Sequence, residues 1–495
     1  MRKIQKFLAL MGATVVALSS CLLFASCAQT ETKEVLRIYN WEDYICNEED
    51  EEYGYIDLIA AFEEEYDCEV EYSTFGTNEN MYNELKINEG SYDLVCPSDY
   101  MIMKMIRENM CEPFTEDFRT NSLYAQNVSP YIRNIFEENG WDKYAVGYMW
   151  GTMGFMYNPE ASDTIAEDVQ SWSVLENEKY YKKSTLKDSV RDTYFYALAC
   201  VYEDELAALA EQYESGAIDA EVYNAEITEI MNRTDEETVE KARVYLRDVK
   251  KNIYGFEVDS GKNDMVTGKI DINFCWSGDA AYGIYEAGEE DGSTLAYAVP
   301  DYVSNIWFDG WVIPKGGNVS LAEKFLDFIS RPDYVMMNMD YIGYTSVLAG
   351  DEIYEGWVLD SYEVTEEGEE LQQLIDDGEV MEYDLGYFFG EDLATEDYTF
   401  YAYASEKNGM LGAQYPSYDV VTRCAVMQFF EDDANNRINM MWEDVKGAEI
   451  PIPAVIFIVV VIAVGVGTYL FTKYGYDWFR GKPKKGYTKV ENDKK

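Results

Sequence analysis

Three tryptophans in this chain are each followed, within three residues, by an aspartate, and each pair stands where a predicted strand ends. The pairs are Trp41/Asp43, Trp276/Asp279 and Trp307/Asp309. An aromatic face attracts an organic cation, and a neighbouring carboxylate neutralises the cation and accepts its hydrogen bonds. A tryptophan at such a place can also simply pack against the core. Three pairs at one kind of location favour a binding site for an organic ammonium ion.

The first pair is positioned by a short apolar run, 35–39, which predicts a buried strand that closes at Asn40. Tyr44 lies on the same loop as Trp41 and Asp43. Downstream, helical and extended patterns alternate at 55–66, 68–72, 78–87 and 92–96. This alternation predicts an α/β fold with a parallel, doubly wound sheet. Ligands bind at the carboxyl ends of such strands, and the strand at 92–96 ends at Ser98 and Tyr100.

The second half of the chain supplies the other two pairs. A glycine-punctuated apolar run at 144–157 suits a crossing between two lobes. Residues 184–199 contain the sequence DSVRD and continue as an apolar helix, and 203–251 is a charged helical stretch whose acids we place on the surface. Predicted strands at 271–275 and 305–314 carry the second and third pairs. Trp307 and Asp309 are two residues apart and therefore share one face of an extended chain.

Composition excludes several classes of chemistry. The 495 residues contain no histidine, so no histidine-based triad, general base or imidazole zinc site exists. There is no phosphate-binding GxxxxGK[ST] and no strand-GxGxxG-helix pattern. The net charge of -55 repels nucleic acid and anionic substrates. Seven cysteines follow the first 27 residues without paired spacing, which predicts neither a disulfide framework nor a metal site. We expect no cofactor.

The N-terminus has the form of an export signal. A basic segment at 1–6 and an apolar segment at 7–18 precede small residues and a cysteine, twice, at Cys21 and Cys27. The small-small-Cys ending resembles a bacterial lipobox, in which the cysteine is acylated. We favour Cys27, because a polar tether at 28–33 follows it, while Cys21 matches the motif better at its leucine. Ordinary cleavage and an uncleaved anchor remain alternatives.

The C-terminus predicts a membrane anchor. Residues 450–471 form an uncharged apolar run of about the twenty residues that span a bilayer. Basic residues follow at once, between Lys473 and Lys485. This asymmetry predicts that the tail lies in the cytoplasm and the rest of the chain on the extracytoplasmic, periplasmic or extracellular side of the cell membrane.

Seven motifs, in order, resemble the polyamine (spermidine/putrescine) substrate-binding proteins of ABC transporters. They are YNWEDY, EYSTFGTNENMYNELK, YDLVCPSDYMIMKM, DSVRD, NFCWSGDA, IWFDGWVIP and IGYTS. The resemblance runs from about Leu36 to Trp442 and includes a closing segment, YPSYDVVTRCAVMQFFEDD. It implies a two-lobed periplasmic-binding-protein (type II) fold with a hinge, in which lobe closure buries a polyamine.

The resemblance also implies which residues line the cleft. They are Trp41, Asp43, Tyr44, Ser98, Tyr100, Asp188, Asp192, Trp276, Trp307, Asp309 and Tyr344. Asp309 falls where the family places a carboxylate on an amine, and Trp276 and Trp307 fall where it places rings along the methylene chain. One position of the family's acidic pair is Ser189 here and the other is Asp192, with Asp188 adjacent. This departure leaves the choice between putrescine and spermidine open.

The expected domains follow from these segments. They are a signal peptide with lipobox (1–27), a tether (28–33), the first part of lobe 1 (34–150), the first part of lobe 2 (151–307), the return to lobe 1 (308–344), the return to lobe 2 with the C-terminal segment (345–447), a transmembrane helix (450–471) and a basic cytoplasmic tail (472–495). The segment at 203–232 looks longer than its counterpart in the family and is predicted to be a surface insertion.

The sequence therefore predicts a membrane-anchored, monomeric solute-binding protein rather than an enzyme. It would bind a polyamine and deliver it to the permease subunits of an ABC transporter, with their ATPase. Two alternatives remain: a surface sensor or receptor for another organic cation, and a carboxylate-dependent hydrolase such as a glycosidase. The hydrolase would need two carboxyls flanking one bond, and no such pair stands out in the sequence.

Overall fold

The structure is a computed structural model that describes residues 33–290, 294–390 and 396–447, with isolated positions at 464, 466, 468 and 469. The predicted signal at 1–27, with Cys21 and Cys27, lies outside the described residues. So do nearly all of the tether and most of the predicted span and tail at 450–495. Within the described ranges, no helix is both long and apolar enough to cross a bilayer.

The described strands form one large mixed sheet and a separate hairpin. They are β1 (Val35–Trp41), β2 (Glu69–Phe75), β3 (Leu94–Val95), β4 (Cys111–Glu112), β5 (Ala145–Tyr157), β6 (Ser184–Lys187), β7 (Gly255–Glu257), β8 (Ile272–Trp276), β9 (Ala296–Ala298), β10 (Ser304–Pro314), β11 (Thr345–Ser346), β12 (Val380–Asp384), β13 (Thr399–Tyr403) and β14 (Cys424–Ala425).

Helices connect or follow the described strands along the chain. They are α1 (Leu58–Tyr66), α2 (Asn78–Ile87), α3 (Asp99–Arg107), α4 (Glu116–Asn121), α5 (Leu123–Asn127), α6 (Pro130–Glu138), α7 (Ile165–Asp168), α8 (Val190–Val201), α9 (Glu203–Glu214), α10 (Ala220–Met231), α11 (Glu236–Asn252), α12 (Ser260–Val266), α13 (Ser277–Glu290), α14 (Val319–Ile329), α15 (Pro332–Ile342), α16 (Asp351–Ile353), α17 (Asp360–Tyr362), α18 (Glu369–Asp377), α19 (Gly386–Phe389), α20 (Met410–Gln414), α21 (Tyr418–Thr422) and α22 (Asp432–Lys446).

The first lobe is built on β1, which pairs in parallel with β2 on one side and β3 on the other. The predicted strand-helix-strand alternation is confirmed here, although the third strand is only two residues long. Helices α1 and α2 begin at side-chain caps: Asp57 accepts from the backbone of Ile59 and Ala60, and Thr77 accepts from Asn80. These caps fix the point at which each loop from the carboxyl edge of the sheet becomes a helix.

Two long antiparallel strands, β5 and β10, join the lobes. Both are buried along their whole length, which explains why their sequences are apolar without alternation. The N-terminal part of β5 pairs with β10, while its C-terminal part, Met153–Tyr157, pairs with β8. The other end of β10 reaches β3 through Val312. The run at 144–157 therefore crosses between two lobes, as predicted.

The second lobe contains β6, β7 and β8, in the sheet order β8-β6-β7. Residues 184–187, predicted as the start of a helix, instead form strand β6, and helix α8 begins only after Ser189. The single helical stretch expected at 203–251 is divided into α9, α10 and α11. Leu206 and Ile227 are buried, so α9 and α10, which make up most of the predicted surface insertion at 203–232, pack in part against the rest of the lobe.

The segment after β11 differs from the predicted return to lobe 2 at residue 345. The backbone N–H of Ala349 donates to Asn127, and the hydroxyl of Ser129 donates to the carbonyl of Phe388, so this stretch packs on the first lobe. Only from about residue 410 does the chain reach second-lobe elements, where α20 packs on α13 and β14 pairs with the start of β10. The hairpin β12–β13 lies within this stretch.

Residues from Trp442 onward form a separate unit. Its described part consists of the end of α22 and the four isolated positions. The hydroxyl of Thr468 donates to the carbonyl of Val464 at 2.7 Å, which is a helical contact between residues four apart.

Candidate functional site

Asp309 occupies the centre of the site, on β10 at the point where the register of the strand shifts between Asp309 and Gly310. Its carboxylate accepts a hydrogen bond from the hydroxyl of Tyr44 at 2.8 Å and a second one from the hydroxyl of Ser98. Burial raises the pKa of Asp309 to about 6, and these two hydrogen bonds limit the rise. The group is thus a carboxylate near neutral pH that gains from meeting a cation.

Ser98 lies beside Asp309, and both Ser98 and Tyr100 are held by Asn78, the first residue of α2. The side-chain amide of Asn78 donates to both hydroxyls at 3.1 Å, and its oxygen accepts from the backbone of Ser98. Tyr100 in turn donates to Glu79 at 3.2 Å. Asn78 was not predicted as a site residue, since its partners lie about twenty positions away and nothing in its local sequence indicates them.

Trp307 and Tyr344 form an aromatic wall next to Asp309. Their rings are 5.8 Å apart, and Tyr344 also contacts the ring of Tyr44 at 5.3 Å. Two glycines make this wall possible. A Cβ at Gly151 would lie 2.7 Å from Trp307, and a Cβ at Gly278 would lie 2.5 Å from Tyr344. Both rings therefore pack directly on backbone.

The second lobe contributes Asp192 and Trp276. Ser189 caps α8 by accepting from the backbone N–H of Asp192, which places Asp192 in the first turn of the helix. Burial raises the pKa of the Asp192 carboxyl, while hydrogen bonds from Ser189 and Trp276 and the positive charge of Lys187 oppose the rise. The charge of Asp192 also acts to raise the pKa of Asp309, so the two carboxyls, one from each lobe, interact electrostatically.

Two cations and three carboxyls at the site were not predicted as site residues. The cations are Lys187 and Arg191, and the carboxyls are Asp99, Glu257 and Asp279, all of them buried. Asp279 was recognised only as the partner of Trp276 in sequence. Burial and the charge of Asp309 raise the pKa of Asp99 to about 8.

Arg191 belongs to α8 of the second lobe, and its side chain reaches toward the first lobe. Its guanidinium donates to the carbonyl of Gln428 at 2.7 Å and stacks on the rings of Tyr100 and Phe430, at 4.5 and 3.8 Å. It therefore joins α8 of the second lobe to Tyr100 of the first. In the sequence, the position of Arg191 two residues after Ser189, within the DSVRD motif, could have indicated that it belongs to the site.

For three predicted site residues, Trp41, Asp43 and Asp188, the described contacts lie away from Asp309. The ring of Trp41 packs on Phe75, with centroids 4.5 Å apart. Asp43 is exposed and adopts the left-handed φ of +52°. Asp188 is half-buried, and its backbone N–H donates to Glu257 at 2.6 Å. Their place in the binding site stays a prediction.

The site suits a multiply charged organic cation. Carboxylates from both lobes meet beside aromatic rings, and each lobe supplies part of the lining. Within the described part of the chain, no cluster of carboxylates and thiols is arranged to hold a metal ion. The arrangement can bind ammonium groups and pack methylenes, and it requires both lobes to do so.

The comparisons with known proteins agree with this architecture. A family model described as bacterial extracellular solute-binding protein matches residues 57–350. The chain is 27% identical over 333 residues to the spermidine/putrescine-binding periplasmic protein of Escherichia coli, covering 67% of this chain and 82% of that protein. It is 24% identical over 325 residues to the putrescine-binding periplasmic protein PotF of Escherichia coli, covering 63% and 78%.

Two solved structures share the fold. The Tp0655 (TpPotD) lipoprotein of Treponema pallidum superposes with a TM-score of 0.56 at 20% identity, covering 83% of this chain and 99% of that one. The spermidine/putrescine ABC transporter substrate-binding protein PotD of Streptococcus pneumoniae superposes with a TM-score of 0.54 at 23% identity, covering 83% and 98%. The two-lobed periplasmic-binding-protein fold is thus confirmed.

These relatives are binding proteins, which confirms the prediction that the chain is not an enzyme and removes the support for a hydrolase. The resemblance read from the seven motifs is also confirmed. Since the family model spans more than half of the chain and the fold agrees with it, the protein belongs to the bacterial extracellular solute-binding protein family.

Proposed function

We propose that this protein captures a polyamine in the cleft between its lobes and delivers it to an ABC permease on the extracytoplasmic side of the membrane. The observation that carries the proposal is that two buried carboxyls from different lobes, Asp309 and Asp192, interact electrostatically. They lie near the rings of Trp307, Tyr344 and Trp276. The relatives named for spermidine and putrescine support the choice of ligand.

The physical requirements of a polyamine fit this lining. Aliphatic amines titrate near the lysine value, roughly 10.4, so each is an ammonium at neutral pH. Removing an ammonium from water costs several kcal/mol unless it meets a carboxylate. Asp309 and Asp192 supply that partner, and the rings cover the methylenes at about 0.8 kcal/mol per CH₂. Closure of the two lobes about β5 and β10 would complete the burial.

Membrane anchoring belongs to the same proposal. Acylation at Cys27, or at Cys21, would tether the N-terminus, and the apolar run at 450–471 would hold the C-terminus, with the basic tail in the cytoplasm. Either tether would keep the binding protein close to its permease. The two anchors are supported by the sequence pattern alone.

Calorimetric titration of the full-length chain in detergent, with putrescine, spermidine and spermine at physiological salt, tests the proposal. We expect 1:1 binding of at least one of them at micromolar concentration or tighter. Asp309→Asn should weaken it, and Asp163→Asn, the same change at an exposed position of the second lobe, should not. Failure of all three ligands to bind would reject the polyamine and favour a receptor for another organic cation.

A further inference from the structure

Lys187 is a fully buried cation in the wall of the candidate site. Its ammonium lies 2.7 Å from the Asp279 carboxylate, 3.7 Å from the Glu257 carboxylate and 4.1 Å from the centre of the Trp276 ring. Burial acts to lower its pKa, but the two carboxylates outweigh burial and the pKa is raised, so the group stays charged. A carboxylate pair and a tryptophan face are the partners that an ammonium group of a ligand would use.

The partners of Lys187 belong to the same cleft as Asp309. Asp279 also accepts from the hydroxyl of Tyr344 at 3.0 Å, and Tyr344 contacts both Trp307 and Tyr44. Tyr44 donates to Asp309. On the opposite side, Trp276 hydrogen-bonds Asp192. A continuous series of side-chain contacts that passes through Lys187 therefore links Asp309 to Asp192.

The balance of buried charge at the site also favours a cationic ligand. Asp99, with a pKa of about 8, is mainly protonated at neutral pH. Four buried carboxyls remain, namely Asp192, Glu257, Asp279 and Asp309, against the two buried cations Lys187 and Arg191. Carboxyls therefore outnumber the buried cations of the chain by two, while the partly buried Lys262 approaches Asp279 at 3.8 Å. A ligand with two ammonium groups would supply the missing cations.

We propose that Lys187 takes the position of a ligand ammonium against Asp279 and Trp276, and thereby restricts the site to diamines of the putrescine type. This inference rests on the proposed function, since it assumes that a polyamine binds between Asp309 and Asp192. A third ammonium, as in spermidine, would have to approach the charge of Lys187 without a carboxylate of its own.

The test compares three full-length proteins in detergent: the wild type, Lys187→Met and the double variant Lys187→Met/Asp279→Asn. The affinities for putrescine and spermidine are measured by calorimetry at one pH and one salt concentration. We expect the wild type to prefer putrescine. In Lys187→Met the buried Asp279 carboxylate loses its partner at 2.7 Å and becomes available to a third amine. The ratio of spermidine to putrescine affinity should therefore rise by about tenfold or more, as for a charge-assisted hydrogen bond.

The double variant distinguishes a role of Lys187 in ligand selection from a purely structural role of Lys187. It removes both charges of the 2.7 Å pair. Of the carboxylates beside Lys187 it leaves only Glu257, which also accepts hydrogen bonds from Asn273 and from the backbone of Gly261, and the affinity ratio should stay near the wild-type value. An unchanged ratio in Lys187→Met, or a wild type that prefers spermidine, would overturn the inference while leaving polyamine binding in place. A wild type that binds neither ligand would overturn the proposed function and the inference together.

Discussion

The hydroxyl of Tyr44 donates to the carboxylate of Asp309 at 2.8 Å, although the two residues are 265 positions apart in the chain. The contact joins the loop after β1 to the middle of β10, where the lobes meet. Tyr44→Phe removes one of the two hydrogen bonds that favour the charged carboxylate. We expect polyamine affinity to fall by roughly tenfold at pH 7, the cost of one hydrogen bond to a charged group. Calorimetry on Tyr44→Phe measures this, and unchanged affinity would contradict it.

Affinity should depend on pH through the same carboxyl. The pKa of Asp309 is raised to about 6 by burial, so the group loses its charge as pH falls through that value. Polyamine amines remain protonated throughout this range. We therefore expect affinity to drop by up to about tenfold per pH unit below 6. Titrations at pH 5, 6, 7 and 8 test this, and Asp309→Asn, which cannot titrate here, should show a flatter profile.

The stability of the ligand-free protein should change with pH in the opposite sense. Because the pKa of Asp309 is raised from 3.8 to about 6 in the folded protein, its contribution is fully present below about pH 4 and is lost as pH rises through 6. Relative to Asp309→Asn, the free energy of unfolding of the wild type should fall by at most about 3 kcal/mol between pH 4 and 7. Urea unfolding of both proteins at several pH values measures this difference. If the free energies of unfolding of the two proteins change in parallel with pH, the prediction is wrong. Asp163→Asn serves as the matched control.

Gly278→Ala should impair binding through Tyr344. The added Cβ would lie 2.5 Å from that ring, so the ring must move away from its place between Tyr44 and Asp279. We expect the affinity for putrescine to fall at least tenfold, by roughly the value of one lost ring and its hydrogen bond. Gly288→Ala lies in the same helix, where nothing is within 4 Å of the new Cβ. It should leave affinity unchanged and stabilise the helix by about 0.5–1 kcal/mol. Equal affinities in the two variants would refute the role of Gly278.

Removal of residues 450–495 should separate binding from transport. If the apolar run tethers the protein near its permease, cells with the truncated chain should take up less polyamine, while the purified truncated protein binds it as the full chain does. Cys27→Ala and Cys21→Ala, tested by lipid labelling, identify the acylated residue. Unchanged uptake by the truncated chain would count against a need for the C-terminal anchor.

A local pattern identified Tyr44 and Ser98, which follow the ends of β1 and β3. Trp307 and Asp309 were predicted at the end of a strand, but they lie within β10, where the register shifts after Asp309. Ser189 was interpreted as a missing carboxylate. In the structure it is the cap of α8 and holds Asp192 in the first turn.

Other parts depend on distant partners and could not be predicted from local patterns. Lys187 reaches Asp279 across 92 positions, and Arg191 reaches Gln428 across 237. Strand β6, which carries Lys187, is buried on both faces, so its four residues show no alternation that would distinguish it from the helix that follows. The position of the segment after residue 345 likewise depends on contacts with α5 and α6.

The placement of β10 has a consequence for how the chain folds during synthesis. This strand lies between β3 and β5 in the finished sheet, yet it is made almost last among the strands of that sheet. When residues up to about 300 have left the ribosome, β5 can pair with β8 and β9. Strands β2, β1 and β3 can pair with one another, but β3 still lacks its neighbour β10. The second lobe, which is nearly continuous in sequence, can therefore form early. The first lobe has to wait for residues 304–314, and until they arrive its sheet edge is open to wrong partners.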